Sequence, residues 1–135
     1  MLFRSSDDAP FLAWLVLASG RAHVKRGIWE VILDEPEDKC LAFLQSISVT
    51  PLPHQFHHTC YLLAEVEGHP AAGLGGYDPA TLGFSAIQTA VIQVCSKLGM
   101  PMPQPEPGDD TSRVLDCVPD DIAGAWIIDS VATLP

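Results

Sequence analysis

The stretch Thr59 to Tyr77 constrains this chain more than any other, because it sets two extended runs on either side of Glu67-Gly68-His69-Pro70. Thr59 to Val66 is mostly apolar, and Ala71 to Tyr77 resumes the extended pattern beyond the turn residues. So short a connection joins neighbouring strands that run in opposite directions, and the segment therefore predicts an antiparallel hairpin.

Helices surround the hairpin in the sequence. Phe11 to Ala22 predicts a helix whose apolar positions (Phe11, Leu12, Trp14, Leu15, Val16, Leu17) go almost all round, so it should be buried on more than one side. Asp7 or Asp8 can cap it, and Pro10 in its first turn loses nothing by lacking an N–H. Arg21, His23, Lys25 and Arg26 follow near its C-terminal end, where cations suit the helix dipole, and Gly27 breaks the pattern. Ile28 to Leu33 is a helical turn or a strand, with helix preferred. Asp34-Glu35-Pro36 opens a helix that runs to about Val49, with Cys40, Phe43, Leu44 and Ile47 on one face. Thr50-Pro51-Leu52-Pro53 ends it, since each proline turns the residue before it away from helix. Phe84 to Leu98 predicts another helix, with Ile87, Ala90, Val91, Val94 and Leu98 aligned. Met100 to Asp110, with four prolines and three acidic residues, predicts a loop. Ala125 to Thr133 predicts a strand, and Leu2-Phe3-Arg4 has room only for an edge strand. The expectation is one α+β domain: a helical region over 1–58, a hairpin over 59–77, an inserted helix over 84–99, a loop over 100–124 and a final strand over 125–134.

A chain of 135 residues is enough for one hydrophobic core, and its net charge of -10 narrows its partners. Such a surface repels nucleic-acid phosphates and anionic membranes and attracts cations such as amines. No apolar run is long enough to span a bilayer, and none follows a basic start as a signal peptide would. Cys40, Cys60, Cys95 and Cys117 are widely spaced, with no CxxC pair, which fits reduced thiols in a cytoplasmic protein.

Four groups of residues invite a chemical reading. Gly73-Leu74-Gly75-Gly76 has the composition of a phosphate loop, but no helix N-terminus follows, so a bulge or a close backbone approach fits better. His54, His57 and His58 lie near Cys60, and a zinc site is conceivable; a polar loop leading into a strand accounts for them as well. Asp120 and Asp121 stand between Pro119 and Gly124 and read first as a solvated turn. Asp129, between Ile128 and Ser130 in the final strand, either points to solvent or lines a cleft, where partial burial would raise its pKa and make it a general base.

Three stretches resemble GNAT-type acetyltransferases. Ser6-Asp7-Asp8-Ala9-Pro10-Phe11-Leu12-Ala13 is similar to the family's opening segment, and Tyr61 through Tyr77 is similar to its central hairpin. Ala125 through Pro135 resembles its fourth strand. The resemblance covers about a third of the chain. It implies a mixed sheet with N-terminal helices, an antiparallel hairpin and a helix inserted before the last strand. It also implies acetyl-CoA as co-substrate and a small-molecule or peptide amine as acceptor. By matching position, the backbone of Val131, Ala132 and Thr133 would bind the pantetheine arm and the acetyl carbonyl, and Asp129 would take the amine proton, with Asp120 or Asp121 behind it. The family's Q/R-x-x-G-x-G/A loop, which holds the cofactor's pyrophosphate at a helix N-terminus, has no counterpart up to Pro135. The resemblance therefore implies the N-terminal part of such an enzyme, inactive alone, with weak or absent acetyl-CoA binding by this chain. It also implies a free strand edge through which the chain can self-associate, and a non-catalytic interaction module is the competing reading.

Overall fold

The computed structural model describes residues 2–3, 6–82, 84–104, 106–116, 120 and 122–135. The hairpin forms as its turn chemistry requires. Strands β2 (Tyr61–Val66) and β3 (His69–Tyr77) are antiparallel and joined by Glu67 and Gly68 alone, with φ of 52° and 80°. Two consecutive left-handed residues give the turn the twist that the strands need. β2 starts two residues later than expected, because His58–Cys60 is a turn of 3-10 helix.

A short strand β1 (Leu2–Phe3) pairs with β2, and β4 (Ile127–Thr133) pairs with β3. The sheet order is β1-β2-β3-β4 and every pairing is antiparallel, where the family resemblance led us to expect a mixed sheet.

Helix α1 (Ala9–Arg21) lies across β3 and β4 and packs its other side on α3 (Glu37–Ile47). This arrangement uses the nearly complete apolar girdle of α1, with Leu12, Leu15, Val16 and Leu17 all buried. Asp8 stands at the N-cap position of α1 without a side-chain cap hydrogen bond. Ile28–Leu33 is a helix, α2, and Gly27 opens it by donating its N–H to Glu30 Oε2 at 2.7 Å. Glu30 also accepts from Arg21, which reaches on to Glu37 Oε2 at 2.7 Å. One guanidinium thus ties the end of α1 to α2 and α3, a more specific role than the dipole contact expected. Burial by itself would raise the Glu30 pKa; the hydrogen bonds from Arg21 and the Gly27 amide outweigh it and hold the carboxyl low.

Between β3 and β4 lie α4 (Pro79–Leu82), α5 (Phe84–Leu98) and α6 (Asp110–Asp116). α5 packs on α3 through the expected stripe, with Ile87, Ala90 and Val94 buried. α6 falls inside the segment 100–124 that was expected to be loop throughout. Its start is set by Asp109, whose Oδ1 accepts from the Ser112 N–H at 2.6 Å. A charged seven-residue helix with no buried residue has no apolar stripe for periodicity to detect. No helix among the described residues is long and apolar enough to cross a membrane.

Candidate functional site

The two faces of the sheet have different fates. On the α1 side, β2 contributes Tyr61 and Leu63, opposite Gly75 and Gly73 of β3. A Cβ on Gly75 would come within 2.8 Å of the Tyr61 ring, and one on Gly73 would meet Leu63 and, at 3.1 Å, Leu15 of α1. The glycines therefore leave a trough in β3 into which two large side chains of β2 lie down. That is the close backbone approach the sequence suggested, and it accounts for both residues without a phosphate.

β4 is irregular where it passes this trough. Gly76 pairs with Ile128 and Leu74 with Val131, so Asp129 and Ser130 together oppose Gly75 alone. This is a β-bulge, which bends the strand and re-aims the side chains at its ends. Ser130 is turned inward and only 3% exposed, on the same buried side of the sheet as Tyr61, itself 1% exposed. Burial first, then the nearby Asp129 charge, keeps the Tyr61 phenol protonated far above its usual range, against the smaller opposing effect of Ser130.

Asp129 sits at the other half of the bulge. Its surface is open to solvent, yet enough protein surrounds the carboxylate to desolvate it, and that desolvation raises its pKa. The open surface limits the rise; the direction is the part that matters for proton transfer. Asp120 lies before β4, exposed and outside any strand, and Asp121 lies outside the described residues.

The three residues proposed from sequence to grip a cofactor arm are all in β4. The Leu134 N–H bonds to the Ala71 carbonyl at 2.8 Å. Backbone direction alternates along an antiparallel strand, so Ala132 also faces β3, while Val131 and Thr133 turn their N–H and C=O groups to the free edge. Of the three, only Val131 and Thr133 turn backbone groups to the edge that no strand among the described residues pairs, and Ala132 instead packs its methyl against the core. These outward groups fit an amide-rich ligand arm, since they supply both donor and acceptor. The face of the sheet away from α1 carries Trp126 at 74%, Ile128 at 68% and Val131 at 56% exposure, an apolar surface that nothing among the described residues covers.

The histidine group is resolved differently. His54 is completely buried and fully bonded: Nδ1 accepts the Phe56 N–H at 3.1 Å, while Nε2 lies 3.0 Å from the Ile47 carbonyl and 2.9 Å from Thr50 Oγ1. Those partners assign a neutral ring with its proton on Nε2. Burial pushes its pKa down to about 4, only partly offset by the Ile47 bond. His57 bonds with Thr59 at 2.8 Å, and the Cys60 thiol donates to the His54 carbonyl at 3.4 Å. Among the described residues no three His, Cys, Asp or Glu side chains stand together as a metal site. Cys40, Cys60 and Cys95 are free thiols, each with its pKa raised by burial, which disfavours the reactive thiolate.

Sequence reasoning missed Tyr61 and Ser130. The signal was present: glycines at alternate positions of a strand call for bulky partners opposite, and Ser130 is a lone hydroxyl in an apolar strand.

No family model and no curated protein matches this sequence. Its structure is similar to the crystal structure of an acetyltransferase, with a TM-score of 0.70 and 15% identity, covering 98% of this chain and 61% of that one. It is also similar to an N-acetyltransferase from Staphylococcus aureus Mu50, with a TM-score of 0.58 and 18% identity, covering 98% of this chain and 63% of that one. At such identities the likeness shows a shared α+β fold, and the chain spans about three fifths of the length of these structures.

Proposed function

We propose that this protein is an acetyl-CoA-dependent N-acetyltransferase of the GNAT type, transferring acetyl to a primary amine by direct attack. The observation that carries the reading is the bulge in β4. It sets the Asp129 carboxylate, with its raised pKa, beside the outward backbone groups of Val131 and Thr133 on one strand edge. Acetyl-CoA would supply a thioester whose acetyl group passes to the amine nitrogen as the C–S bond breaks. Val131 and Thr133 would hold the amide-rich arm of the cofactor as an added strand is held. Asp129 would take the proton that the ammonium must lose, and desolvation makes it a stronger base for that task than an ordinary aspartate. The net charge of -10 favours the approach of a cationic acceptor. The free thiols suit a cytoplasmic setting.

The fold neighbours support this reading, but this chain matches only about three fifths of their length, so binding comes before turnover as the test. Acetyl-CoA is titrated into labelled protein to millimolar concentration while backbone amide signals are followed. The reading expects shifts at Val131 and Thr133. Where transfer to a primary amine is measurable, Asp129→Asn should lower its rate about a hundredfold or more. No shift on β4 at millimolar acetyl-CoA would remove the cofactor reading. A second reading, an interaction module that pairs through β4, is favoured by the free edge and by exposed Trp126, Ile128 and Val131. Concentration-dependent association lost in Val131→Lys, with no acetyl-CoA response, would select it.

A further inference from the structure

The side of the sheet away from α1 is apolar where an antiparallel sheet in water is ordinarily polar. Such sheets alternate, with apolar residues toward the core and polar ones toward solvent. Here the pairs Leu62↔Leu74, Leu74↔Val131 and Gly76↔Ile128 place no charged side chain on the outer face. Trp126 extends it. A Cβ on Gly76 would meet the indole at 3.8 Å, so the ring lies over that glycine on the outer side. Trp126, Ile128 and Val131 are mostly exposed, while α1, α3 and α5 share one core with Tyr61 and Leu63 of the opposite face. A contiguous apolar surface of this kind marks a binding site, and helices are the elements that commonly close a sheet face. From β2 to β4 the face is about 10 Å across, the diameter of one helix.

Charge selects among the helices that could lie there. Residues 59–82 and 120–135, which contain β2, β3 and β4, carry Glu65, Glu67, Asp78, Asp120, Asp121 and Asp129 and no Lys or Arg. Asp78 follows the pair Tyr77↔Ile127 at one end of the face, and Glu67 lies in the turn at the other. Asp129 interrupts the edge strand between Ile128 and Val131. An apolar centre ringed by one sign of charge steers in a ligand that is apolar on one side and oppositely charged on the other. A second copy of this chain does not fit that description, because it would bring the same carboxylates and a further net charge of -10.

We propose that the outer face of β2, β3 and β4 docks a cationic amphipathic helix of another protein, with its apolar stripe on Trp126, Ile128 and Val131 and its Lys or Arg residues toward the carboxylates at the rim. This goes beyond the acetyl-transfer reading, and it gives the interaction reading a partner and a surface. It rests on the face of the sheet rather than on the free edge of β4, so the acetyl-CoA titration tests the other reading separately.

The experiment titrates labelled protein with three synthetic peptides of about five helical turns and reads the Trp126 indole N–H and the Ile128 methyl groups by NMR. These groups report the face and not the edge. The first peptide is a Leu-Lys sequence with its leucines in a single helical stripe. The second replaces Lys by Glu, and the third scrambles the first so that no stripe remains. Docking predicts that only the striped Leu-Lys peptide moves these signals, with an affinity that falls about tenfold or more as salt rises from about 50 to about 500 mM. Ile128→Lys, at a side chain that lies in water in the free protein, should weaken that binding about tenfold or more, read at Trp126. Gln45→Lys adds the same charge on the exposed surface of α3 and should change the binding less than about twofold. Equal binding of the Leu-Glu or the scrambled peptide overturns the proposal, and so does equal weakening by Gln45→Lys. Signals that move with protein concentration before any peptide is added would make the occupant a second copy and overturn it as well.

Discussion

His54 and Asp129 are both titratable side chains set among apolar residues, and the protein treats them in opposite ways. His54 lies under α3 with both ring nitrogens bonded, so the fold fixes its tautomer and its charge. Asp129 stands on the edge strand, desolvated but open, on a bulge whose neighbours leave backbone groups to spare. The first region uses up its hydrogen-bonding capacity internally. The second keeps part of it for something else. Burial with every partner supplied makes a structural residue, and partial burial with partners withheld makes a candidate for chemistry.

Three measurements press on that contrast. Leu15→Ala strikes the closed region where α1 meets the glycine trough, at a residue with no exposed surface. It should cost about 4 kcal/mol, read as a lower urea midpoint at unchanged slope. A loss below about 1 kcal/mol would mean that α1 does not seal the sheet as described.

Acid tests His54. Its folded pKa of about 4 lies below the ordinary histidine value of 6.5. A group depressed by folding contributes stability that is present above the unfolded pKa and lost as pH falls through the folded one. Unfolding free energy should therefore fall by about 3 kcal/mol between pH 6.5 and 4, and most of that fall should be missing in His54→Gln. Glu30, also depressed, adds to the loss at lower pH. An equally steep acid loss in His54→Gln would show that the closed region does not depend on the neutral ring.

The smallest effect belongs to the open region. Ile128→Lys and Val131→Lys place charge on a sheet face that is already in water, and each should change stability by less than about 0.5 kcal/mol. A larger loss, measured by the same denaturation, would mean that this face is covered in solution, and the contrast would have to be redrawn.

Much of this was legible beforehand. The hairpin, α1, α3 and α5 follow from local chemistry: a Glu-Gly turn, a proline-marked helix start and apolar residues at helical spacing. β4 was legible from its run of Ile and Val. α6 was not, because a seven-residue helix held by an Asp109 cap, with only Val114 and Leu115 apolar, leaves no hydrophobic stripe. Asp129 could be named as a candidate from its place in a largely apolar strand, but Ala132 could not be separated from Val131 and Thr133, since backbone direction depends on which strand lies alongside.

The sequence by itself determined which segments coil and which extend, because period and turn chemistry act within a few residues. Only the tertiary structure decided the register: that Tyr61 meets Gly75, that Gly75 faces two residues of β4, and that Ser130 is the one of them turned inward. Those relations join strands far apart in the chain, and their energy depends on how whole elements pack, which no local pattern encodes.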